Sequence, residues 1–455
     1  MQSTVYFYGA AGSVTGSNFL LDTGASKILI DCGLFQGKNA GEENNWAKFP
    51  FDAKAIPVLI NTHAHIDHIG RIPLLVKRGF KGRIISTEAT RAIALPLLLD
   101  CMSLLKHDAE IYGKEPLYDE RDIDAAMALW EGIPYHQKID LDDSVQVELL
   151  NSGHILGSAM AKFTRGSSNL VFTGDLGGGN SPLLPPIDDL TDANYLVMES
   201  VYGNTVRPEE EQKHTRDMLE NVIEESVARC GTLLIPAFST ERTQDLLFEI
   251  RTLMVERRVP SVPVYIDSPL AKQMTEAFLA YPQYFSDELQ QRIKNGEKIF
   301  VFPEMHIVED EDESRHLGKE PGPNIILAGS GMSNGGRVIG HERRILSDKK
   351  STLLIVGYQA AGSLGRRLVE GASQVEIHKQ KVPVHCRVEA IYGYSAHMDG
   401  EQLVEFVNKT RSTLKEVFVV MGEPVASATL VQHLRDYLSV KAIAPEAGES
   451  ATIEL

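Results

Sequence analysis

Three histidines and one aspartate lie within six positions of the segment NTHAHIDHIG, at His63, His65, Asp67 and His68. Imidazole nitrogens and carboxylate oxygens are ligands that Zn²⁺ accepts in proteins. His63 and His65 alternate after the apolar run IPVLI, so both side chains can point the same way from an extended segment. Asp67 and His68 fall at the turn into a helical pattern and can face a second point nearby. This spacing predicts a metal site rather than a polar strand end with incidental histidines.

Two further candidate ligands stand after apolar strand patterns. The segment NSGHILGSA offers His154, flanked by glycines that leave room for close approach of the backbone. The segment LVFTGDLGGG offers Asp175, again at the end of a strand and before glycines. Taken alone, either residue could belong to an ordinary turn. Together with the first segment, they complete a set of ligands for two metal ions.

The elements that must position these ligands change in kind along the chain. Short β-branched and aromatic runs dominate the first 200 residues or so, which indicates sheets covered by a few helices. After the polar stretch GNTVRPEEEQKHT, strands alternate with helices, which predicts right-handed βαβ units and a mainly parallel sheet. The C-terminal residues return to the mixed pattern. We therefore predict an α/β protein in which residues 206–388 form a domain inserted between residues 1–205 and 389–455.

The composition limits the classes of protein to which the chain can belong. It has 455 residues, of which 43% are hydrophobic and 24% charged, as in ordinary globular proteins. No apolar run reaches the roughly 18 residues that span a bilayer, so we expect no membrane association. Four widely separated cysteines indicate reduced thiols and a cytoplasmic location. The net charge of −17 argues against a basic protein that coats nucleic acid. It allows an enzyme that binds phosphates in a local basic groove.

The motifs THAHIDH, GHILGS and FTGDLG, with IDCG upstream, resemble the successive motifs of the metallo-β-lactamase fold. That fold is an αββα sandwich with its metal ligands clustered at one edge. The aspartate of IDCG, Asp31, matches a family residue that supports the ligand segment. The resemblance implies two zinc ions, the first held by His63, His65 and His154, the second by Asp67 and His68, with Asp175 as a bridge.

Further motifs resemble the β-CASP subgroup of this family over almost the whole chain. VMESVYGN places Glu199 at the acidic motif of the subgroup, and YGYSAHMD places His397 in its Ser-Ala-His signature. The runs PAFSTERTQDLL, YIDSPLA, GSGMSNGGR and VGYQAAGSLGRRL resemble the domain inserted in this subgroup. The expected architecture is thus a metallo-β-lactamase sandwich with an inserted parallel-sheet β-CASP domain. The Ser-Ala-His form is closest to the RNA-processing branch, which includes the cleavage-and-polyadenylation-type endonucleases.

The resemblance implies a zinc-dependent nuclease that hydrolyses phosphodiester bonds in single-stranded RNA. Two metals about 3.5–4 Å apart supply a metal-bound hydroxide as nucleophile and stabilise the phosphate. His397 is expected to be the general acid, Glu199 to orient it, and Asp67 to belong to the catalytic set. The implied products are a 3′-hydroxyl and a 5′-phosphate. A homodimer is an expectation at the level of the family.

Two glycine-rich turns in the predicted insertion have two readings that stay open. They are ordinary strand-to-helix turns, or they form a backbone cradle for RNA phosphates. In the second reading the substrate-binding candidates are Ser330, Arg366, Arg367 and Ser395. The Gly-x4-Gly-x2-Gly spacing of GYQAAGSLG differs from the dinucleotide-binding spacing, so we expect no nicotinamide cofactor.

The chain departs from the RNA-processing pattern at one position. Members of that branch carry a histidine ligand of the second zinc at the end of a late strand, where this chain has Met421 in EVFVVMGEP. A thioether is a poor Zn²⁺ ligand. Three interpretations stay open: an active nuclease with a weaker second metal, an attenuated nuclease that depends on metal concentration, and a catalytically weak RNA-binding partner subunit. A small-molecule hydrolase of the same fold is a fourth, which the long insertion disfavours.

Overall fold

The chain folds into two compact units in a computed structural model that describes residues 2–36, 42–142, 144–208, 214–317, 322–357, 359 and 362–455. The first unit comprises Met1–Gly179, Pro185–Val206 and Ala396–Leu455. The second comprises Asn180–Leu184 and Arg207–Ser395. Residues 209–213 of the polar stretch predicted as a linker lie outside the described residues.

The strands are short, as the β-branched and aromatic runs of the sequence predict. In chain order they are β1 (Gln2–Gly9), β2 (Asn18–Asp22), β3 (Lys27–Ile30), β4 (Val58–Ile60), β5 (Arg83–Thr87), β6 (Trp130–Ile133), β7 (Lys138–Asp140), β8 (Gln146–Asn151), β9 (Ala159–Arg165), β10 (Ser168–Phe172), β11 (Tyr195–Met198), β12 (Thr232–Pro236), β13 (Val264–Asp267), β14 (Met305–Ile307), β15 (Asn324–Ala328), β16 (Thr352–Ile355), β17 (Gln374–Ile377), β18 (Gln380–Pro383), β19 (Arg387–Ala390), β20 (Glu416–Val419), β21 (Ala442–Ile443) and β22 (Ser450–Glu454).

Helices connect or cover these strands, and none in the described parts of the chain is both long and apolar enough to cross a lipid bilayer. In chain order they are α1 (Ile66–Ile69), α2 (Ile72–Lys77), α3 (Glu88–Tyr112), α4 (Glu120–Ala128), α5 (Thr215–Ala228), α6 (Arg242–Val255), α7 (Pro269–Ala280), α8 (Asp287–Lys294), α9 (Glu311–Leu317), α10 (Arg337–Ile345), α11 (Leu364–Val369), α12 (Gly400–Thr410) and α13 (Pro424–Leu438).

The first unit is built on two seven-stranded sheets, with strand orders β22-β1-β2-β3-β4-β5-β6 and β21-β20-β11-β10-β9-β8-β7. Side chains of strand β1 alternate between two faces, so that Val5 and Phe7 are buried on one face while Tyr6 and Tyr8 are half-buried on the other. Phe7 contacts Phe418 of β20, and Phe19 contacts Phe172 of β10. Apolar side chains of both sheets thus form one core between the two layers.

Helices form the outer layers of this sandwich. Helix α3 packs against β5 and β6, and α4 packs against α2 and α3. Helices α12 and α13 bury Phe406 and Leu430 in a second apolar cluster with Val171 and Leu196 of the other sheet. The first unit is therefore an αββα sandwich, as the resemblance implies.

Parallel pairing brings the ends of several strands to the same edge of their sheet. Strands β3 and β4 pair in parallel, as do β10 with β11 and β11 with β20. Because parallel neighbours end at the same edge, the residues that follow them lie close together. The residues in question are Asp31 after β3, His63 after β4, Asp175 after β10, Glu199 after β11 and Met421 after β20.

The second unit contains a six-stranded, wholly parallel sheet of order β14-β13-β15-β12-β16-β19 and the small hairpin β17–β18. Parallel pairing agrees with the alternation of strands and helices in the sequence. Strand β19 begins at Arg387 and pairs with β16, so this unit continues to Ser395 rather than ending at 388. In the second glycine-rich turn, residues 358, 360 and 361 lie outside the described part of the chain.

Candidate metal centre

The segment that carries the first four candidate ligands lies between β4 and α1. His63 and His65 are in the extended part, and helix α1 begins at Ile66 directly after His65. The backbone of residues 31–34 packs against this turn. The Cys32 amide donates a hydrogen bond to the His68 carbonyl over 2.8 Å. A Cβ atom on Gly33 would lie only 1.5 Å from the Asp67 carbonyl oxygen, so this close approach requires glycine.

The structure brings His63, His65, His154 and Asp175 together, with one potential ligand atom of each within 4.8 Å of the others. His65 Nδ1 lies 3.1 Å from His63 Nε2 and 3.1 Å from His154 Nε2. Asp175 Oδ2 lies 3.5 Å from His63 Nε2 and 3.4 Å from His154 Nε2. Three imidazole nitrogens and a carboxylate oxygen that converge in this way are a donor set that suits Zn²⁺.

The electrostatics of this group favour neutral imidazoles. Burial lowers the pKa of His63 well below its ordinary value, and the charge of His68 lowers it further. Burial and the neighbouring His397 likewise hold the pKa of His154 well below its ordinary value. A neutral imidazole offers a lone pair to a metal ion, whereas an imidazolium cannot. The two histidines are therefore in the protonation state that a metal site needs.

Asp175 also faces the second pair of candidate ligands. Its Oδ1 lies 3.4 Å from His68 Nε2, which in turn lies 3.9 Å from Asp67 Oδ2. Burial would raise the pKa of Asp175, but His68 and His63 hold it well below its usual range. The ionised carboxylate thus presents one oxygen to each half of the site. This is the arrangement that a bridging ligand requires.

Asp31 fixes the orientation of His68. Its Oδ2 lies 2.7 Å from His68 Nδ1 and accepts from the Thr62 and Ser17 hydroxyls at 2.9 and 3.2 Å. Its Oδ1 accepts from the Asn61 side chain at 2.9 Å and from the Thr62 amide at 2.8 Å. Burial would lower the pKa of His68, but Asp175 and Asp31 raise it well above its ordinary value, so the ring is charged. Because Asp31 holds the proton on Nδ1, Nε2, which faces Asp175, is the nitrogen that would lose its proton to bind a metal ion. Sequence reasoning assigned a supporting role to Asp31, and its contacts agree with that role.

His397 and Glu199 lie against the metal-ligand group. His397 Nδ1 is 3.1 Å from Glu199 Oε1, and this carboxylate also accepts from the Leu176 amide at 2.6 Å. Glu199 is fully buried, and burial raises its pKa although His397 opposes this effect. The His397 side chain is 21% exposed, so it can meet a bound molecule, and its ring centroid lies 4.6 Å from that of His154.

A backbone contact between distant parts of the chain places His397. Residue 397 forms an isolated antiparallel bridge with Gly177, and the Met398 amide donates to the Leu176 carbonyl. A Cβ atom on Gly177 would lie 1.8 Å from the Gly153 carbonyl oxygen. The glycines after Asp175 therefore allow three segments to meet at the site, which explains the run GDLGGG.

Met421 follows β20, at the position where the RNA-processing pattern has a histidine. Its side chain is buried in the apolar core between the two sheets, with Phe7 and Phe418. Its backbone amide donates to the Ala10 carbonyl over 2.6 Å. His433, the nearest histidine along the chain, lies on α13 and stacks against Tyr437 at 5.2 Å between centroids.

The four substrate-binding candidates all belong to the second unit. The Ser330 hydroxyl donates to the Gly335 carbonyl, and the Ser395 hydroxyl accepts from Arg207 at 2.9 Å. Arg366 pairs with Glu370 at 2.6 Å on the exposed face of α11, and Arg367 is exposed on the same helix. Their role in binding stays a prediction.

Sequence reasoning missed several residues that hold the ligands in place. The Thr62 hydroxyl lies 3.2 Å from His63 Nδ1, and Ser17 donates to Asp31. The Ser158 hydroxyl accepts from the His154 and Ile155 amides at 3.0 and 3.1 Å, which closes the turn around His154. A hydroxyl residue directly before the first histidine and another four residues after His154 were the available signals.

Comparison with known proteins identifies three parts of the chain. Three family models match it: the metallo-beta-lactamase superfamily over residues 11–204, the Beta-Casp domain over 243–368, and the Zn-dependent metallo-hydrolase RNA specificity domain over 381–445. The chain is 34% identical to ribonuclease TTHA0252 of Thermus thermophilus over 406 residues, which cover 88% of this chain and 89% of that protein. This chain belongs to the metallo-beta-lactamase superfamily. It carries the Beta-Casp domain and is a metal-dependent hydrolase, which confirms the family resemblance and the predicted fold class.

Other relatives of this Beta-Casp protein extend over most of its length. An RNase J-like protein of Methanocaldococcus jannaschii is 30% identical over 443 residues, covering 97% of this chain and 98% of that protein. The transcription termination factor FttA of Cenarchaeum symbiosum is 32% identical and covers 97% of this chain, which spans 70% of that factor. A solved structure of a protein of unknown function from Enterococcus faecalis has a TM-score of 0.57 at 12% identity over both full chains, and it supports the fold alone.

Proposed function

We propose that this protein is a zinc-dependent ribonuclease that hydrolyses phosphodiester bonds in single-stranded RNA. The observation that carries the proposal is the position of Asp175, whose two oxygens face His63 and His154 on one side and His68 on the other. A carboxylate so placed suits two metal ions, and paired metals are typical of enzymes that cleave phosphodiesters. The relative named ribonuclease and the match to an RNA specificity domain support RNA as the substrate.

The ligands divide between the two zinc ions by their geometry. His63, His65 and His154 would hold the first, Asp67 and His68 the second, and Asp175 would contact both. When bound, the metal ions supply a nucleophile at neutral pH and offset the charge that develops on the phosphate. The protein contributes the orientation of each ligand, above all through the contact of Asp31 with His68.

His397 and Glu199 provide the acid–base chemistry. Glu199 would accept a hydrogen bond from His397 Nδ1 and stabilise the imidazolium form of the ring. The Nε2 proton of that imidazolium would pass to the leaving oxygen, which leaves His397 neutral with its proton on Nδ1. The partly exposed ring is accessible to a strand that crosses the metal site. Glu199 is held by two backbone amides, those of Leu176 and Val201, so it orients the imidazole without moving itself.

The second zinc is expected to bind more weakly than the first. Its assigned protein ligands are Asp67, His68 and Asp175, and the Met421 side chain is buried in the core. We expect metal analysis to find one tightly bound zinc and a second at partial occupancy. Met421→His should raise that occupancy if the imidazole can leave the core, whereas two chelator-resistant zinc ions in the unchanged protein would contradict a weak second site.

Substrate contacts in the second unit complete the proposal. Ser330, Arg366, Arg367 and Ser395 are proposed to bind the phosphates or sugars of the RNA strand. A homodimer and a cytoplasmic location remain predictions from the family resemblance and from the separated cysteines.

One experiment tests the function and separates it from the alternatives. Labelled single-stranded RNA is incubated with the protein and added Zn²⁺ or Mn²⁺, with single-stranded DNA, a chromogenic lactam and a thioester in parallel, and Asp67→Ala as control. RNA cleavage that the control lacks supports the proposal. RNA binding without cleavage would favour the partner-subunit interpretation, and turnover of the lactam or thioester alone would favour a small-molecule hydrolase.

A further inference from the structure

Arg71 carries a buried positive charge without a partner among the residues that the structure describes. It lies between α1 and α2, three residues after His68, and is only 5% exposed. Its Nε is enclosed and has no hydrogen-bond acceptor, and no described carboxylate lies within ion-pair distance of the guanidinium. Buried arginines are normally paired, because five unsatisfied N–H donors and a desolvated charge are costly.

The surroundings of Arg71 are apolar and neutral. Its guanidinium lies 4.5 Å from the ring centroid of Phe49 and 5.7 Å from that of Phe35. Cys32 is a titratable side chain that acts on the charge of Arg71, and burial raises the pKa of its thiol to about 12, so it provides no negative charge. Cation–π contact attracts the charge to the rings, but it provides no hydrogen-bond acceptor for the enclosed Nε–H. A bound anion would supply the acceptor and the counter-charge that the described residues lack.

The walls of this pocket are held in place before any ligand binds. The buried side chain of Asn45 forms two hydrogen bonds with the backbone of Phe35. Its Oδ1 accepts from the Phe35 amide at 2.8 Å, and its Nδ2 donates to the Phe35 carbonyl at 2.9 Å. A Cβ atom on Gly16 would lie 2.5 Å from the Phe35 ring, so that loop closes directly on the ring. Such fixed positions reduce the entropy that binding would otherwise cost.

The Arg71 pocket is tied to the turn that carries the metal ligands. The Arg71 amide donates to the Cys32 carbonyl over 2.8 Å, and the Cys32 amide donates to the His68 carbonyl over 2.8 Å. The Leu34 amide donates to the Ile66 carbonyl in the same ladder. The segment that holds Phe35 and the segment that holds His68 therefore form one small backbone network.

We propose that Arg71, with Phe35 and Phe49, forms a subsite for one phosphate of the RNA strand beside the metal ligands. The proposal rests on the ribonuclease function proposed above. A phosphodiester presents two oxygens that match the guanidinium fork, and arginine binds such groups more specifically than a lysine point charge. The half-buried rings exclude water from the pair and offer apolar contact to the adjoining sugar or base.

Binding of RNA without cleavage provides the first measurement. Fluorescein-labelled single-stranded RNA is titrated into protein carrying Asp67→Ala, alone or with Arg71→Gln, Arg71→Lys or Arg78→Gln. Arg78 is the matched control, because it is an exposed arginine at the other end of α2. We expect Arg71→Gln to weaken binding about tenfold or more and Arg71→Lys to restore part of it. The slope of log affinity against log salt should shrink by about 0.7, the value for one phosphate contact on a single strand.

A second measurement separates an anion site from a structural role. Arg71→Met removes the charge and keeps an unbranched apolar stem, so the thermal midpoint without phosphate should equal or exceed that of the unchanged protein. Inorganic phosphate should raise the midpoint of the unchanged protein and leave that of Arg71→Met unaffected. A large loss of midpoint in Arg71→Met with an intact phosphate response would show that Arg71 is structural and overturn the proposal.

The outcomes distinguish this subsite from the proposed function. If the protein does not cleave RNA but Arg71→Gln weakens RNA binding and reduces the salt slope, the function fails and the subsite stands. If the protein cleaves RNA but Arg71→Gln matches Arg78→Gln in affinity, KM and salt slope, the subsite fails and the function stands. A phosphate response with unchanged RNA binding would assign the pocket to free phosphate and overturn its role in holding RNA.

Discussion

Asp31→Asn changes one atom of a carboxylate that takes part in five hydrogen bonds. The new amide oxygen can keep the Oδ1 contacts with the Asn61 side chain and the Thr62 amide, at 2.9 and 2.8 Å. The new NH₂ group then faces His68 Nδ1, which is 2.7 Å from Oδ2 in the unchanged protein. The hydroxyls of Thr62 and Ser17 can rotate and accept hydrogen bonds from this NH₂ group. A protonated Nδ1 of His68 cannot accept one, because it has no free lone pair.

His68 has two responses to this change, and both weaken the second metal. It can rotate away from the amide, or it can move its proton to Nε2, the nitrogen that faces Asp175. Loss of a hydrogen bond that orients a histidine ligand typically costs 10–100-fold in metal affinity. That range corresponds to about 1.4–2.7 kcal/mol. We therefore expect the second zinc to bind 10–100-fold more weakly, while the first zinc is unaffected.

Chelator competition, followed with a fluorescent zinc indicator, measures both dissociation constants. Asp142→Asn is the matched control, because Asp142 accepts from the Ser144 and Val145 amides at 2.7 and 2.8 Å in a turn before β8. It should lower stability without changing metal affinity. A folded Asp31→Asn protein that binds the second zinc like the unchanged protein would refute the role assigned to Asp31.

Three further predictions concern proton transfer and buried acids. His397→Ala should reduce the kcat for RNA by about 10²–10⁴-fold with metal content unchanged, as measured by turnover and metal analysis of one preparation. Burial raises the pKa of Asp67 to about 6, so protons should compete with the second metal and chelator competition should show weaker binding as pH falls through 6. Burial raises the pKa of Glu342 to about 7, against 4.5 for the ordinary group, so its contribution to stability is full below pH 4.5 and is lost as pH rises through 7. Glu342→Gln should therefore raise the free energy of unfolding at pH 8 by on the order of 3 kcal/mol at most and leave it unchanged at pH 4.5, as measured by denaturant titration. Glu276→Gln, on the exposed face of α7, should change the free energy of unfolding at neither pH.

The sequence alone predicted the chemistry of the candidate metal centre, because the types and spacing of the candidate ligands are local information. The spacing of His63, His65, Asp67 and His68 assigns ligand types and directions within one turn, and the period of an extended segment decides which side chains share a face. The positions of His154 and Asp175 after apolar runs indicated that both residues follow the ends of strands. The alternation of strands and helices likewise predicted the parallel sheet of the second unit.

Only the tertiary structure decided which distant groups meet and how they are held. The bridge between Gly177 and residue 397 links segments 220 positions apart, and no local pattern encodes such a contact. Met421 follows the strand expected to supply a ligand, yet packing between the two sheets buries its side chain in the core. The lack of an acceptor for Arg71 Nε among the described residues is also a tertiary property, since it depends on which side chains pack around the guanidinium. Residue type and spacing determine which chemistry a side chain can perform, whereas tertiary packing determines which groups it contacts.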